Sequence, residues 1–317
     1  MNKSIRIIGM AALVLLLAVS CKKEKQDENR KVTLSAGIVN NSGKHHIEWG
    51  TKWTHWDEGD VILVNNNEMV ITQGWGSNEA QFTCDDWHGL LPEETILYAI
   101  SPATEQKPYQ GVDGLSWKSK VTVPQNQDYL KDNVQQPLPM GVSAMIGAGA
   151  LNFQQLTNVY CLPVYFEKDR ESIGKITKVE MIKNPQAAPS AKDNDIPGPE
   201  ANYIAGEIWY PHQGTETELV EVISGSESIT LNCKTEQFPD GIDINGSTST
   251  NFHFVAFPVQ MKNGITFKFY TADSSDPVAI INKSLGESSI DINRYYTLYE
   301  TLNGEQKVYN LADHLVR

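Results

Sequence analysis

The residues whose types could do chemistry crowd into the first half of the chain. His45, His46 and His55 stand just before Asp57 and Asp60, and imidazole with carboxylate is a zinc donor set. Their spacing matches no ligand motif, so solvated loop residues are expected, with no metal and no other cofactor. Six of the 7 tryptophans, Trp49, Trp53, Trp56, Trp75, Trp87 and Trp117, precede residue 150. Exposed indoles stack on sugar rings, whereas most large aromatics are buried and build cores. Trp75, between Gly74 and Gly76, is the one expected at the surface and is the candidate ligand-stacking residue. Cys84, Cys161 and Cys233 form no CxxC pair. Buried thiols acting as small hydrophobes are the default, though a single disulfide among them stays open. No GxSxG, HExxH, P-loop or EF-hand spacing occurs, so no catalytic residue is assigned and an enzyme is not expected.

Cys21 has a different setting. Lys3 and Arg6 precede an apolar run over residues 7–19, and Ser20-Cys21 follows just before charged residues begin. That is the pattern of a signal peptide over residues 1–20. The run is shorter than the roughly 20 residues that span about 30 Å of hydrocarbon. Small Ala18 and Ser20 let a signal peptidase close on the backbone, and Leu17-Ala18-Val19-Ser20-Cys21 resembles the bacterial lipobox. The resemblance implies lipidation of Cys21, hence a membrane tether through lipid in place of a transmembrane helix.

Residues 21–31 are too charged to bury anything and read as a solvated stalk. Lys22-Lys23-Glu24 and the charges after them also resemble surface-export signals of Bacteroidetes lipoproteins, which points to the outer membrane and its outer surface. The whole chain carries a formal charge of −13. Removing the two basic residues of the leader leaves 24 of the 26 against 39 acids, or −15. A surface of that sign repels phosphate backbones, so nucleic acid is excluded as a partner.

What must position these residues is a set of strands. Ile265-Thr266-Phe267-Lys268-Phe269-Tyr270 alternates as a half-buried strand does, and Ile229-Thr230-Leu231-Asn232-Cys233 repeats the pattern. Continuous apolar runs at 61–64, 96–100 and 252–259 suit strands covered on both faces. Asn263-Gly264 and Asn303-Gly304 each sit between two such runs, and Asn-Gly favours tight hairpins. Residues 186–201, rich in Ala, Pro and Gly, read as an irregular loop. No sustained helical stripe follows the leader. The expected fold is all-β, with two sandwich domains over residues 32–150 and 151–317, divided near Gly147-Ala148-Gly149-Ala150.

Several spaced pieces match a known pattern in order. Ile47-Glu48-Trp49, Trp56-Asp57-Glu58-Gly59-Asp60-Val61, Ala80-Gln81-Phe82 and Ile96-Leu97-Tyr98-Ala99 come first. Tyr203-Ile204-Ala205-Gly206, Val255-Ala256-Phe257-Pro258 and Ile292-Asn293-Arg294-Tyr295-Tyr296 follow. Together they resemble the fimbrillin-like surface lipoproteins of the Bacteroidales. The resemblance implies two transthyretin-like β-sandwich domains and a structural or accessory role in fimbriae, with other fimbrial subunits or host and bacterial surface ligands as partners. It also implies assembly by strand exchange, in which a protease removes the first strand and a neighbour's strand fills the groove. The first strand falls at residues 32–39, and Arg30 and Lys44 are the candidate processing sites, with Lys31 and Lys52 nearby. Cutting after Arg30 frees only the stalk, whereas Lys44 lies beyond the strand. Residues 307–311 could donate a strand, although Asn303-Gly304 makes them an ordinary hairpin arm. A surface glycan-binding lipoprotein using tryptophans of the first domain is the alternative reading.

Overall fold

The computed structural model describes residues 30–38, 56–111, 114–131, 138–144, 150–169, 171–185, 203–212, 221–259, 261–285, 295–302 and 304–316. The leader with Cys21, the three histidines before Asp57, and Lys44, Trp49, Lys52 and Trp53 lie outside them, as does the loop at 186–201. In chain order the strands of the first half are β1 (Arg30–Ile38), β2 (Val61–Val64), β3 (Asn67–Gln73), β4 (Glu79–Trp87), β5 (Leu97–Ser101), β6 (Gln106–Gly111), β7 (Gly114–Val123), β8 (Asn126–Asp128), β9 (Met140–Ala144) and β10 (Leu151–Gln155). Then come β11 (Asn158–Phe166), β12 (Lys175–Lys183), β13 (Ala205–Pro211), β14 (Glu221–Ser226), β15 (Ser228–Asn232), β16 (Ile242–Asp243), β17 (Gly246–Ala256), β18 (Ile265–Thr271), β19 (Ala279–Lys283), β20 (Tyr295–Thr297), β21 (Glu300–Leu302), β22 (Glu305–Lys307) and β23 (Tyr309–Asn310). Among the described residues the helical structure is a 3₁₀ turn at Leu311–His314, capped by the side chain of Asn310. No helix there is long and apolar enough to cross a membrane. The fold is all-β.

Seven strands close on themselves in the order β1-β10-β9-β5-β2-β3-β4. The reason is visible in the patterning. β3 turns Asn67, Met69 and Ile71 inward and leaves the residues between them exposed, while β5 is buried at every position. One-sided strands make the wall and the two-sided strand lies where a second layer covers it. Inside, Trp56, Ile62, Val64, Met69, Phe82 and Phe153 form one apolar cluster. The first block is therefore ring-closed by β1, where two open layers were expected.

The second block is a two-layer sandwich. One layer runs β17-β11-β20 with β23 also on β11, and the other runs β19-β18-β12-β15-β8 with β16 on β12. Phenylalanines of β17 and β18 meet between the layers, Phe252 with Phe269 at 5.8 Å and Phe254 with Phe267 at 5.5 Å between ring centroids. A third sheet, β14-β13-β7-β6, joins the halves, since β7 pairs with β13 and β8 pairs with β15.

His212 sits where that third sheet meets the barrel. Gln106 Nε2 donates to Tyr98 O at 3.1 Å and to Ser119 Oγ at 3.0 Å, and Ser119 Oγ contacts His212 Nε2. With the other ring nitrogen bonded to the Val142 carbonyl, the network assigns Nε2 as the acceptor of the Ser119 proton and the ring as neutral. Burial pushes the imidazole down to about 4 from 6.5, against the smaller upward pull of that carbonyl. Because the folded value lies below the unfolded one, this contribution to stability is whole above pH 6.5 and is lost as pH falls toward 4. The expected loss is on the order of 2–3 kcal/mol. Urea midpoints compared at pH 7 and pH 4 should fall further for the natural chain than for His212→Phe.

Two Asn-Gly turns behave differently. Leu302 pairs with Glu305 across Asn303-Gly304, so β21 and β22 form the expected hairpin, while β23 continues onto β11 in parallel. Asn263-Gly264 does not join a hairpin. β17 pairs with β11, whereas β18 pairs with β12 and β19, so this turn carries the chain from one layer to the other. The apolar faces on both strands decide it, because each must line the core from its own side. Gly264 holds φ at +78°, and a Cβ there would collide with the carbonyl oxygen of Lys283. Gly264→Ala is expected to cost roughly 2 kcal/mol or more in chemical denaturation.

Candidate interaction site: the first strand and its groove

β1 is held along both edges. Its antiparallel partner is β4, with Val32 opposite Cys84, Leu34 opposite Phe82 and Ala36 opposite Ala80. Its parallel partner is β10, where Ala36, Gly37 and Ile38 meet Leu151, Asn152 and Phe153. Val32 and Ala36 are buried, and Leu34 and Ile38 pack against the same cluster, so alternate residues of β1 fill one trough. The opposite face is polar. Thr33 Oγ1 meets Thr83 Oγ1 at 3.0 Å, and Lys31 Nζ lies 2.9 Å from Asp85 with both side chains exposed. An exposed pair of that kind contributes roughly 0–1 kcal/mol, so the buried face holds the strand.

The floor of the trough is Trp56. Its indole is fully buried and stands edge-on to Phe82 at 4.9 Å and to Phe153 at 5.2 Å. The carboxylate that closes the turn after it is Asp60: its Oδ2 accepts from Asp57 N at 2.7 Å. Gly59, with φ at +89°, lets the chain turn. Burial raises the Asp60 carboxyl above its ordinary value, against the lowering pull of that backbone N–H, and the Asp57 charge raises it further. The turn is closed by its own hydrogen bonds, Asp57 N to Asp60 Oδ2 and Asp60 N to Asp57 O. It fastens Trp56 to β2.

Trp75 lies in the turn between β3 and β4 and is 52 % exposed. Gly76 N donates to Trp56 O at 2.7 Å, so the exposed indole sits on a turn bonded to the buried one. Ile38 N donates to Asn78 O at 2.9 Å, which puts the exit of β1 at the same end of the barrel. Trp87 is buried and its Nε1 donates to Leu90 O at 2.9 Å, while Trp117 is half-buried.

Arg30 is the first residue of β1, paired opposite Trp87, so a cut after it would leave the strand seated. Cys84, Cys161 and Cys233 are free and buried. Burial pushes the Cys161 thiol up to about 11, and pushes that of Cys233 higher still. Among the described residues no three His, Cys, Asp or Glu side chains group as a metal site.

Among solved structures, the chain is similar to adhesion and fimbrial proteins of Bacteroides species and of Porphyromonas gingivalis. A candidate cell adhesion protein from Bacteroides uniformis matches with 13 % identity over 84 % of this chain and 91 % of its own, at a TM-score of 0.42. Another from Bacteroides ovatus matches with 10 % identity over 85 % and 92 %, at 0.43. A C-terminally truncated tip fimbrial protein from Porphyromonas gingivalis matches with 10 % identity over 89 % and 98 %, at 0.33. No family model matches the chain. No curated protein sequence matches it.

Proposed function

We propose that this chain is a fimbrillin-like surface lipoprotein that acts in adhesion or fimbria assembly through strand-mediated contacts, without catalysis. One observation carries the reading: β1 occupies a trough bordered by a paired edge on each side, β4 and β10. Losing β1 would leave two unpaired edges and an apolar floor, which is a ready acceptor for another chain's strand. Main-chain hydrogen bonds would supply affinity, and pockets at the positions of Val32, Leu34, Ala36 and Ile38 would set the register. Lipid on Cys21 would tether the protein to the outer membrane, and residues 22–29 would hold the folded part away from it.

The productive cut must fall beyond Ile38, which makes Lys44 the processing candidate and Arg30 a site that frees only the stalk. The test treats soluble protein starting at Lys22 briefly with an arginine- or lysine-specific protease and runs it unboiled on a denaturing gel. A ladder of resistant multimers whose new N-terminus maps beyond Ile38 supports exchange. A chain that stays monomeric after losing β1 sinks the shaft-subunit role.

The exposure of Trp75 favours a second reading, in which that indole stacks on a surface glycan. Quenching of tryptophan emission by oligosaccharide that disappears in Trp75→Ala would move weight to it.

A further inference from the structure

A cleft of about 260 Å³ opens where the barrel meets the third sheet, away from both β1 and Trp75. Its walls are apolar, from Ile100, Val121, Val255 and the rings of Pro102, Pro124 and Pro139. Gln127 stiffens one side: its amide donates to Pro124 O and Val255 O and accepts from Val255 N, so both of its protons are spent and only one carbonyl lone pair remains. Ser101 differs. It is only 6 % exposed and lines the cleft, and among the described residues its hydroxyl has no hydrogen-bond partner. Its oxygen is not sealed inside the protein, so a ligand hydroxyl can replace water on it.

The remaining polar groups narrow the ligand. Thr104 Oγ1 donates to Lys120 O at 2.7 Å and Thr122 Oγ1 to Glu207 Oε1 at 3.4 Å, so both present acceptor lone pairs to the cleft. Lys120 Nζ is a donor at the rim, but it lies 3.7 Å from Glu105 and 3.4 Å from Glu207, and this excess of acid works against an anionic ligand. Proline rings and aliphatic side chains suit a C–H face, while mixed donors and acceptors suit hydroxyls, each of which can both give and take a hydrogen bond. We propose that the cleft binds one neutral hexopyranose unit, its ring C–H face on the prolines and a hydroxyl on Ser101. Such a site is independent of strand exchange, so failure of the gel experiment leaves it standing.

The test is saturation-transfer NMR on the full chain with the methyl glycosides of glucose, galactose and mannose, and with glucuronate as the anionic control. Transfer to ring C–H protons of at least one neutral glycoside is expected, with weaker transfer to glucuronate. Ser101→Val should raise the dissociation constant roughly three- to tenfold, and Trp75→Ala should leave it unchanged. Should Ser101→Val fail to fold, Lys120→Met takes its place, since that side chain is 25 % exposed and its stem is kept. No transfer from any of the three, equal binding by the folded cleft variant, loss in Trp75→Ala, or preference for glucuronate would each overturn the assignment.

Discussion

Trp56→Ala is expected to lower the unfolding free energy by roughly 3–5 kcal/mol, the range for truncating a fully buried aromatic. The indole has no exposed surface and loses edge contacts at 4.9 Å and 5.2 Å with Phe82 and Phe153 when it is removed. The cavity would open directly beneath β1, so the first strand should loosen before the second block does. Hydrogen exchange would read this as lost protection in β1, β4 and β10, with the sandwich unchanged. Trp56→Phe makes the sharper comparison. The indole Nε1 is buried without a partner, so phenylalanine removes an unsatisfied donor along with some packing, and the net cost should be well under half that of alanine. If both variants cost the same, the indole is not the floor of the trough.

Ala36→Asp is expected to expel β1. Ala36 is 2 % exposed and lies between Ala80 on one side and Leu151 on the other. A carboxylate there has no partner and must either stay buried or take the strand out with it, at a cost above roughly 3 kcal/mol. Ser35→Asp, one position away on the exposed face, should fall within about 0.5 kcal/mol of the natural chain. Hydrogen exchange in β1, β4 and β10 reads the difference, since their ladder amides are protected only while the strand stays seated. Equal protection in the two variants would mean that the face of β1 has been wrongly assigned. Under the proposed function the expelled form is also the acceptor state, so Ala36→Asp should capture an added peptide of the natural β1 sequence.

Much of this was legible locally and some of it was not. The alternation at 265–270 and the unbroken run at 96–100 say which faces are covered, because a strand's period of two ties sequence directly to burial. Asn303-Gly304 made its hairpin because the flanking segments had no stronger claim elsewhere. Asn263-Gly264 has the same turn chemistry, yet Phe252 and Phe254 on one side and Phe267 and Phe269 on the other were needed in facing layers. Packing of those rings overrode the turn. In the turn after Trp56, which of Asp57 and Asp60 supplies the closing carboxylate depends on geometry that spacing alone does not fix. Parallel pairing of β1 with β10 left no trace in either segment, since it is decided by what each must cover and not by any residue between them. Ser101 and His212 were equally silent: one owes its interest to a missing partner and the other to a network drawn from Tyr98, Gln106, Ser119 and Val142.

The pairing of Ala36 with Leu151 also sets a timetable. β1, made early in synthesis, cannot complete its place until a segment about 115 positions later has arrived. Contacts so distant in sequence are slow to form, and β4 alone offers β1 only one edge meanwhile. Throughout that interval the newborn chain carries an unfilled slot between β4 and the place where β10 will dock. Under the proposed function, a passing strand of matching pattern would meet the same slot that β1 is waiting to close, so the order of synthesis would itself open the slot to a foreign strand.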